Sequence, residues 1–480
     1  MTDWIERENP ARLGEIVGRV PADDAVAVAA AVRRVHAAQP AWAARSPTER
    51  IEVLRAGADA LASDALASDA HLPELLARET GKPLADCRGE LGFAASCLRW
   101  FAGHAPDALA DRVVDDDAGR TVLLRRPYGV VAAITPWNAP VILTMLKVGP
   151  ALAAGNTVVV KPSPLAPLAI TDVLQRFPPD LVQVVNGHAG TGRALAGHRE
   201  VFRIAFTGGD VAARDIGVIA ARALTSTLME LGGNDPAIVL DDADLTDEAM
   251  DRLVMATFTT SGQVCMAAKR LYVPRPMLGD FLMAYRAAAE RTIVLGDPLT
   301  EGTTVGPVIS KAAAERLNGL VAASLADGGD AIELGTVEVD PAAGHYVRPA
   351  LLTGLADDAP AVAQEQFGPV VPLLIYDTED EVVARANAGE LGLAASVWSA
   401  DEDRAFAVAR RLEAGFTFVN THNRTGMALR APFGGVKRSG HGREYGVEGL
   451  LEYTQTCVVN APAAFRAGGS GLSASAYPPG

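Results

Sequence analysis

The sequence predicts a multidomain α/β protein built around mostly parallel sheets. From Tyr128 onward, short apolar runs alternate with helical segments at the spacing of βαβ units. Hydrophobic residues make up 49% of the chain but aromatic residues only 5%, a balance typical of buried aliphatic strands and alanine-rich helices. A chain of 480 residues exceeds one ordinary core, so we expect two or three domains.

The first hundred residues are predicted to be mainly helical. Apolar residues recur at helical spacing over 23–38 and again over 49–61. Beyond them, short apolar runs at 113–114 and 121–124 flank the acidic turn 115–119. This pattern predicts a hairpin that projects from the helical region.

The first α/β unit follows this hairpin. Strands and helices are expected to alternate over 129–134 (strand), 140–153 (helix), 157–160 (strand), 167–176 (helix), 182–185 (strand), from 190 (helix), 202–206 (strand) and 211–223 (helix).

A second alternation starts after Asp235. It comprises 237–240 (strand), 247–258 (helix), 270–273 (strand), 379–388 (helix), 393–398 (strand), 401–412 (helix) and 416–420 (strand). We therefore expect a domain boundary near 231–235, with one domain formed by 1–110 and 127–231 and the other by 232–430. Residues 111–126 and 451–460 are predicted to form separate strands, and 461–480 a flexible tail rich in Ala, Gly, Ser and Pro.

Charge and cysteine usage exclude several functions. The net charge of −15 disfavours binding to nucleic acid or to anionic lipid. No apolar run approaches the roughly 20 residues that span a bilayer, and 1–10 lacks an apolar signal core. The four cysteines show neither a CxxC pair nor metal-ligand spacing, so we expect a reduced, cytoplasmic protein without a metal site.

The residue with the strongest chemical signal is Cys265. It ends a stretch of small residues that contains Gly262, so the thiol is sterically open to attack. Glu230 lies 35 positions earlier and is followed by Gly232 and Gly233. A thiol and a carboxylate can together form a thioester and then hydrolyse it. No G-x-G-x-x-G dinucleotide fingerprint is present, and an isolated cysteine is more often an inert core residue.

Eight motifs give the chain a clear resemblance to the aldehyde dehydrogenase superfamily, in the family's order and over about 13–458. The motifs are TPWN at 135–138, KVGPAL at 147–152, GN at 155–156 through KPS at 161–163, FTGG at 206–209, ELGG at 230–233, GQVC at 262–265, EQFGP at 365–369 and PFGGVK at 432–437. The resemblance implies two Rossmann-type α/β domains, cofactor-binding and then catalytic, and a small β extension used in oligomerisation.

The resemblance also implies roles in catalysis. Cys265 would attack an aldehyde, Asn138 would donate to the resulting oxyanion, and Glu230 would activate water to hydrolyse the thioester. Lys147 matches a lysine near the family's active site, where it would act electrostatically or in proton relay. The alternative for Lys147 is a salt-bridged structural lysine.

A nicotinamide dinucleotide, NAD or NADP, is the implied cofactor. The residues matched to its site are Thr135, Pro136, Trp137, Lys161, Ser163, Gly208, Gly209, Leu231, Gly232, Glu365 and Phe367. Many relatives that prefer NAD carry a ribose-binding Glu three positions after the lysine, where this chain has Pro164. Proline accepts no such bond and does not repel a 2′-phosphate, which leaves NADP or dual use open.

The substrate side is less defined. Ala139 and Leu146 replace residues that are aromatic in many relatives, which predicts a channel that is wide and aliphatic on that side and has no aromatic cage. His422, Arg424 or Arg430, in the loop 421–430, would either hold an acidic substrate group or be surface charges. We expect a small-molecule aldehyde as substrate and a homodimer or homotetramer as the assembly. The alternatives are a CoA-acylating relative, which needs no Glu230, a non-catalytic scaffold protein and a cofactor-independent thiol hydrolase.

Overall fold

The structure is a computed structural model that describes residues 3–67 and 71–463. The N-terminal part contains a strand pair and long helices: β1 (Trp4–Glu8), β2 (Ile16–Pro21), α1 (Ala25–Ala43), α2 (Pro47–Leu66), α3 (His71–Thr80) and α4 (Leu84–Ala108). The two predicted helices of this region correspond to α1 and α2. Asp24 caps α1 by accepting from two backbone N–H groups, and Ser46 and Glu49 form a capping box at α2.

The next segment contains the first α/β unit. Its elements are β3 (Arg112–Asp116), β4 (Gly119–Pro127), β5 (Val130–Ile134), α5 (Pro140–Ala153), β6 (Thr157–Lys161), α6 (Pro167–Leu174), β7 (Val182–Val184), α7 (Ala189–Ala196), β8 (Val201–Thr207), α8 (Asp210–Ala223) and β9 (Ser226–Glu230).

The second α/β unit follows directly. Its elements are β10 (Asp235–Val239), α9 (Asp247–Phe258), β11 (Ala268–Pro274), α10 (Leu278–Thr292), β12 (Val294–Leu295), α11 (Lys311–Ala326), β13 (Asp330–Glu333), β14 (Thr336–Val337), β15 (Ala350–Thr353), α12 (Pro360–Ala363), β16 (Val370–Tyr376), α13 (Glu379–Asn387), β17 (Leu391–Gly392), β18 (Ala394–Trp398), α14 (Glu402–Ala409) and β19 (Phe416–Val419). The chain closes with β20 (Val436–Lys437), β21 (Gly440–His441), α15 (Gly446–Leu451) and β22 (Thr454–Pro462).

Two sheets organise these elements. The first has the strand order β21-β9-β8-β5-β6-β7, and all its neighbours are parallel except the pair of β21 with β9. The second has the order β13-β15-β16-β11-β10-β18-β19 and is parallel apart from β13 with β15. Buried strands such as β5 and β6 are covered by helices on both faces, as expected for parallel sheets.

A separate antiparallel sheet extends from the body in the order β22-β4-β3. The hairpin predicted around 115–119 is present as β3 and β4. The predicted 451–460 strand needs correction, because Leu451 ends α15 and β22 runs over Thr454–Pro462. The first two residues of the predicted tail are therefore part of a strand, and 464–480 lie outside the described residues.

A buried carboxylate fixes the start of α5. Glu90 accepts hydrogen bonds from the backbone N–H groups of Val141 at 2.7 Å and Ile142 at 3.3 Å, at the positive end of the helix. Lys82 neutralises Glu90, and both side chains are almost fully buried. Asn138 lies just before this helix start, so the cap also restrains the segment that carries a predicted site residue. In the described part of the chain, no helix is long and apolar enough to cross a membrane.

Candidate active site

Several predicted site residues lie where strands of the first sheet end. Asn138 follows β5, Lys161 ends β6, Thr207 ends β8 and Glu230 ends β9. Parallel strands bring their carboxyl ends to one edge, which is where ligands bind in open α/β sheets. The topology thus brings together residues that are up to 92 positions apart in sequence.

Cys265 follows a strained turn at the end of α9. Thr260 has φ 56°, Ser261 has φ 57° and Gly262 has φ 69°, so three consecutive residues are left-handed. Such a conformation costs roughly 1–3 kcal/mol for each residue other than glycine. The Ser261 hydroxyl donates to the Gly306 carbonyl at 2.8 Å, which helps to hold the turn. A Cβ on Gly262 would lie 2.2 Å from the Gly368 carbonyl oxygen, so this position requires glycine.

The thiol of Cys265 is partly exposed and lines a cleft between the two sheets. Burial raises the pKa of Cys265 to about 12, although Lys269 acts in the opposite direction. The thiol is therefore protonated at neutral pH before substrate binds. Asn138 lines the same cleft, and its side-chain amide donates to the Gln263 carbonyl at 2.9 Å. Because an amide nitrogen carries two protons, Asn138 keeps a second donor.

The carboxyl group of Glu230 is buried at the end of β9. Burial raises its pKa well above the ordinary value, and the neighbouring carboxylate of Glu444 raises it further, while Lys147 lowers it. Its Oε1 atom has no hydrogen-bond partner among the described residues. A carboxyl group with a raised pKa is a stronger base than an ordinary one once it has lost its proton.

Lys147 forms a buried ion pair, which is the salt-bridged alternative that the sequence left open, with Glu444 as a partner that the sequence did not indicate. Its ammonium lies 2.5 Å from Glu444 Oε1, the two side chains are 0% and 2% exposed, and it also donates to the Thr207 hydroxyl at 2.7 Å. Both Lys147 and Glu444 influence the pKa of Glu230. Glu444 lies beyond the last quoted motif and 297 positions from its partner, so no local pattern indicated it.

The cleft that Cys265 lines has a volume of about 730 Å³. Among its lining residues are Pro136, Trp137, Asn138, Gly208, Gly209, Leu231, Gly232, Glu365 and Phe367. It adjoins a second cavity of about 270 Å³ that includes Thr135, Lys161, Ser163 and Pro164. The two share Pro136, Trp137, Thr207, Gly208 and Gly209, so they form one elongated groove.

The smaller cavity suits a phosphate and a ribose. Lys161 is buried, its ammonium donates to the Pro162 carbonyl at 3.0 Å, and burial lowers its pKa to about 8. Helix α8 begins after Gly209 without a side-chain cap, so its first N–H groups are free to bind an anion. A Cβ on Gly209 would meet no atom within 4 Å, which leaves room for a ligand against the backbone.

The larger cleft contains the groups matched to the nicotinamide end. The rings of Trp137 and Phe367 lie edge to face with centroids 5.6 Å apart. Glu365 accepts from the Gly233 N–H at 3.3 Å, and its Oε2 lies where a Cβ on Gly232 would be. The groove thus contains an aromatic edge, a carboxylate, a helix N-terminus and a buried lysine in turn, which fits a nicotinamide dinucleotide.

The C-terminal segment completes this groove. The Ser439 carbonyl accepts from the Leu231 N–H at 3.0 Å, and the Ser439 hydroxyl donates to the Gly232 carbonyl at 2.7 Å. Ser439 is another contributor that the sequence analysis missed. Of the remaining matched residues, Thr135 is buried, and Ser163 accepts from the Leu165 N–H at 3.2 Å.

The expectations for the substrate side need correction. Leu146 is only 1% exposed, so it does not line an open channel. His422 is buried against Phe418, and burial lowers its pKa to about 3, so it is uncharged and does not bind an anion. Arg424 already pairs with Asp86 at 3.1 Å.

Three aromatic rings are neighbours in the apolar cluster against which Cys265 packs. Phe93 and Tyr445 have centroids 6.4 Å apart, and Phe433 lies 6.2 Å from Tyr445. Phe93 belongs to the same packed apolar cluster as Cys265, together with the partly buried Leu143, Phe416, Met427 and Leu429. These rings come from α4 and from the C-terminal segment, so the positions after Asn138 and before Lys147 did not reveal them.

The comparisons with known proteins agree with this geometry. The model of the aldehyde dehydrogenase family matches residues 2–459. A glutarate-semialdehyde dehydrogenase of Pseudomonas putida is 35% identical, with 95% of this chain and 94% of that protein covered. An NADP-dependent succinate-semialdehyde dehydrogenase of Escherichia coli is 36% identical, with 95% and 94% covered. The crystal structure of an NAD-dependent aldehyde dehydrogenase from Sinorhizobium meliloti superimposes with a TM-score of 0.90 at 34% identity, covering 96% of this chain and 92% of that one.

The fold and the groove therefore define an NAD(P)-dependent oxidoreductase. The chain belongs to the aldehyde dehydrogenase family. It oxidises a small-molecule aldehyde to a carboxylic acid with NAD⁺ or NADP⁺, and similar proteins use one or the other cofactor.

Proposed function

We propose that Cys265 is the nucleophile, Asn138 the oxyanion donor and Glu230 the base that hydrolyses the acyl enzyme. The observation that carries this proposal is that Cys265 and Asn138 line the same cleft as Glu365 and Phe367. This arrangement supports a position for the reacting carbon between the thiol and the groups matched to the nicotinamide.

In the first half-reaction, Cys265 Sγ bonds to the aldehyde carbon while the thiol proton is released to solvent water. The Asn138 amide and the Cys265 backbone N–H donate to the oxyanion of the resulting thiohemiacetal. The bound nicotinamide would accept the hydride that this carbon loses. Collapse of the oxyanion leaves a thioester on Cys265.

In the second half-reaction, Glu230 removes a proton from water as the water oxygen attacks the thioester carbon. The carbon–sulfur bond then breaks, the acid leaves and Cys265 regains a proton. Burial around Glu230 supports this role because it raises the pKa of the base well above its ordinary value. Lys147 and Glu444 would adjust that pKa and supply a path for the proton.

Two variants test the assignment. Cys265→Ala should abolish NAD(P)H production with every accepted aldehyde, since no thiohemiacetal can form. Glu230→Gln should still give a burst of NAD(P)H equal to the enzyme concentration, while steady-state turnover falls about 10²–10⁴-fold. Full turnover in Cys265→Ala would refute the nucleophile. A Glu230→Gln enzyme that keeps its steady-state rate, or a wild-type enzyme whose product requires CoA, would refute the hydrolytic step.

We also propose that the substrate is an uncharged apolar aldehyde. Phe93, Tyr445 and Phe433 are neighbouring rings in the apolar cluster against which Cys265 packs, and Arg424 is already neutralised by Asp86. A panel of hexanal, benzaldehyde, succinate semialdehyde and betaine aldehyde, run with each cofactor separately, tests this. We expect kcat/KM to be at least about tenfold higher for the uncharged pair, a difference of about 1.4 kcal/mol. A preference for either charged aldehyde would contradict the proposal.

We infer a homodimer or a homotetramer assembled through the β22-β4-β3 sheet. The supporting observation is a set of exposed apolar side chains, with Val113 at 51%, Val458 at 59% and Val459 at 58% exposure. The edge of this sheet can also pair with another chain. Sedimentation showing only monomer would contradict this. We further propose a cytoplasmic location, consistent with four cysteines that are all unpaired, and fractionation of the source cell tests it.

A further inference from the structure

Directly behind the nucleophile lies a buried cation that the proposed mechanism does not use. The side chain of Lys269 is 3% exposed, and its ammonium donates to the backbone carbonyl of Cys265. The same ammonium lies 3.1 Å from Glu365 Oε1. One buried charge therefore contacts both the residue that carries the thiol and the carboxylate matched to the nicotinamide ribose.

The contact with Lys269 fixes how Glu365 is oriented. Glu365 Oε1 pairs with the ammonium of Lys269 and also accepts a hydrogen bond from the Gly233 N–H at 3.3 Å. Oε2 lies beside Gly232, where a Cβ would come within 2.1 Å of it. Because Oε1 is occupied by the protein, Oε2 is the oxygen left to accept from a ligand in the cleft that Glu365 lines.

A second buried acid, Asp235, interacts electrostatically with Lys269. A Cβ on Gly233 would lie 2.3 Å from Asp235 Oδ1 and 3.0 Å from the Cys265 carbonyl oxygen, so both groups pack against this glycine. Burial raises the pKa of Asp235 to about 7, and Lys269 acts in the opposite direction. The lysine thus acts electrostatically on Asp235, in addition to its ion pair with Glu365.

We propose that Lys269 is a positioning residue that couples the nucleophile loop to Glu365, and through Glu365 to the nicotinamide half of the cofactor. This inference rests on the proposed function for the identity of the ligand. It predicts that loss of the ammonium weakens binding of the nicotinamide end while the adenosine end, 161–164, is unaffected. A lysine needed only for folding would weaken both ends equally.

The experiment measures binding to the enzyme without substrate, by calorimetry. In Lys269→Met, the Kd for the complete dinucleotide should rise at least about tenfold, the effect of losing one charge-assisted contact. The Kd for 5′-AMP should stay within twofold of wild type. Lys269→Arg should restore part of the dinucleotide affinity. Arg50→Met is the matched control, because it removes another buried cation, which donates to the backbone carbonyls of Ala153 and Ala43 outside the groove.

A second readout follows the thiol in the cofactor-free enzyme. Lys269 lowers the pKa of Cys265, so alkylation of Cys265 by iodoacetamide at pH 8 should be slower in Lys269→Met. Peptide mass spectrometry separates this reaction from that of the exposed Cys457. Unchanged dinucleotide affinity in Lys269→Met, or an equal loss for 5′-AMP, would overturn the inference. The binding and alkylation measurements do not depend on turnover. They therefore still test the role of Lys269 if the Cys265→Ala experiment contradicts the proposed function.

Discussion

Replacing Lys147 by Met is the sharpest test of the charges around Glu230. The ion pair with Glu444 has a separation of 2.5 Å and side-chain exposures of 0% and 2%. Removing one partner of such a pair leaves a buried charge without compensation and costs about 3–5 kcal/mol. That is a large part of the roughly 5–15 kcal/mol that stabilises a typical folded protein.

The control for Lys147→Met is a double-mutant cycle. Glu444→Met should also destabilise the protein, because it leaves the ammonium of Lys147 buried alone. The double variant replaces the pair by two apolar side chains of similar length and should cost clearly less than the sum of the single changes. Urea unfolding measures each free energy of unfolding. A cost below about 1 kcal/mol for either single variant, or strict additivity, would refute the reasoning.

The pH profile of turnover shows in which direction each substitution changes the pKa of Glu230. Lys147 lowers the pKa of Glu230, so in Lys147→Met that pKa rises and the acid limb of kcat moves to higher pH. Glu444 raises the same pKa, so in Glu444→Met the acid limb moves to lower pH. A general loosening of the site would not shift the two profiles in opposite directions. Two shifts of the same sign would therefore exclude the proposed coupling to Glu230.

Three further predictions concern other parts of the molecule. Pro164→Glu should move the ratio of kcat/KM values toward NAD⁺ by about tenfold, since a carboxylate binds ribose hydroxyls and repels a 2′-phosphate. Val459→Asp, at a site 58% exposed on β22, should lower the mass seen in sedimentation if the sheet is the interface. His422 has a folded pKa of about 3 against 6.5, so its contribution to stability is complete above pH 6.5 and is lost as the pH falls toward 3. In His422→Gln, the urea concentration at the midpoint of unfolding should therefore depend less on pH across that range.

The order of elements could be predicted from the sequence because each depends on nearby residues. Helix α9 begins and ends at Asp247 and Phe258 as predicted, since its apolar spacing is regular and acidic residues occupy its first turn. The strand predicted over 451–460 has different bounds in the structure because a short helix, α15, precedes it. Periodicity over so few residues does not separate a helix from a strand.

Side-chain partners at long range were not predictable in this way. Glu444 pairs with Lys147 across 297 positions, and the buried environment of His422 depends on Ser396 and Phe418 from other strands. The sequence gives no sign that Lys269 is buried, because a lysine four residues after Cys265 suggests a solvated charge. Its burial follows from β11, whose residues are all buried within the second sheet.

The buried charges near Cys265 form two groups, and each has a lysine with at least one carboxylate. Lys147 lies with Glu444 and Glu230, while Lys269 lies with Glu365 and Asp235. Burial raises the pKa of both Glu230 and Asp235 and so favours their neutral forms at rest. Lys147 acts against this effect at Glu230, and Lys269 acts against it at Asp235. The folded structure therefore supplies, with each buried acid, a lysine that offsets part of the cost of burying its charge.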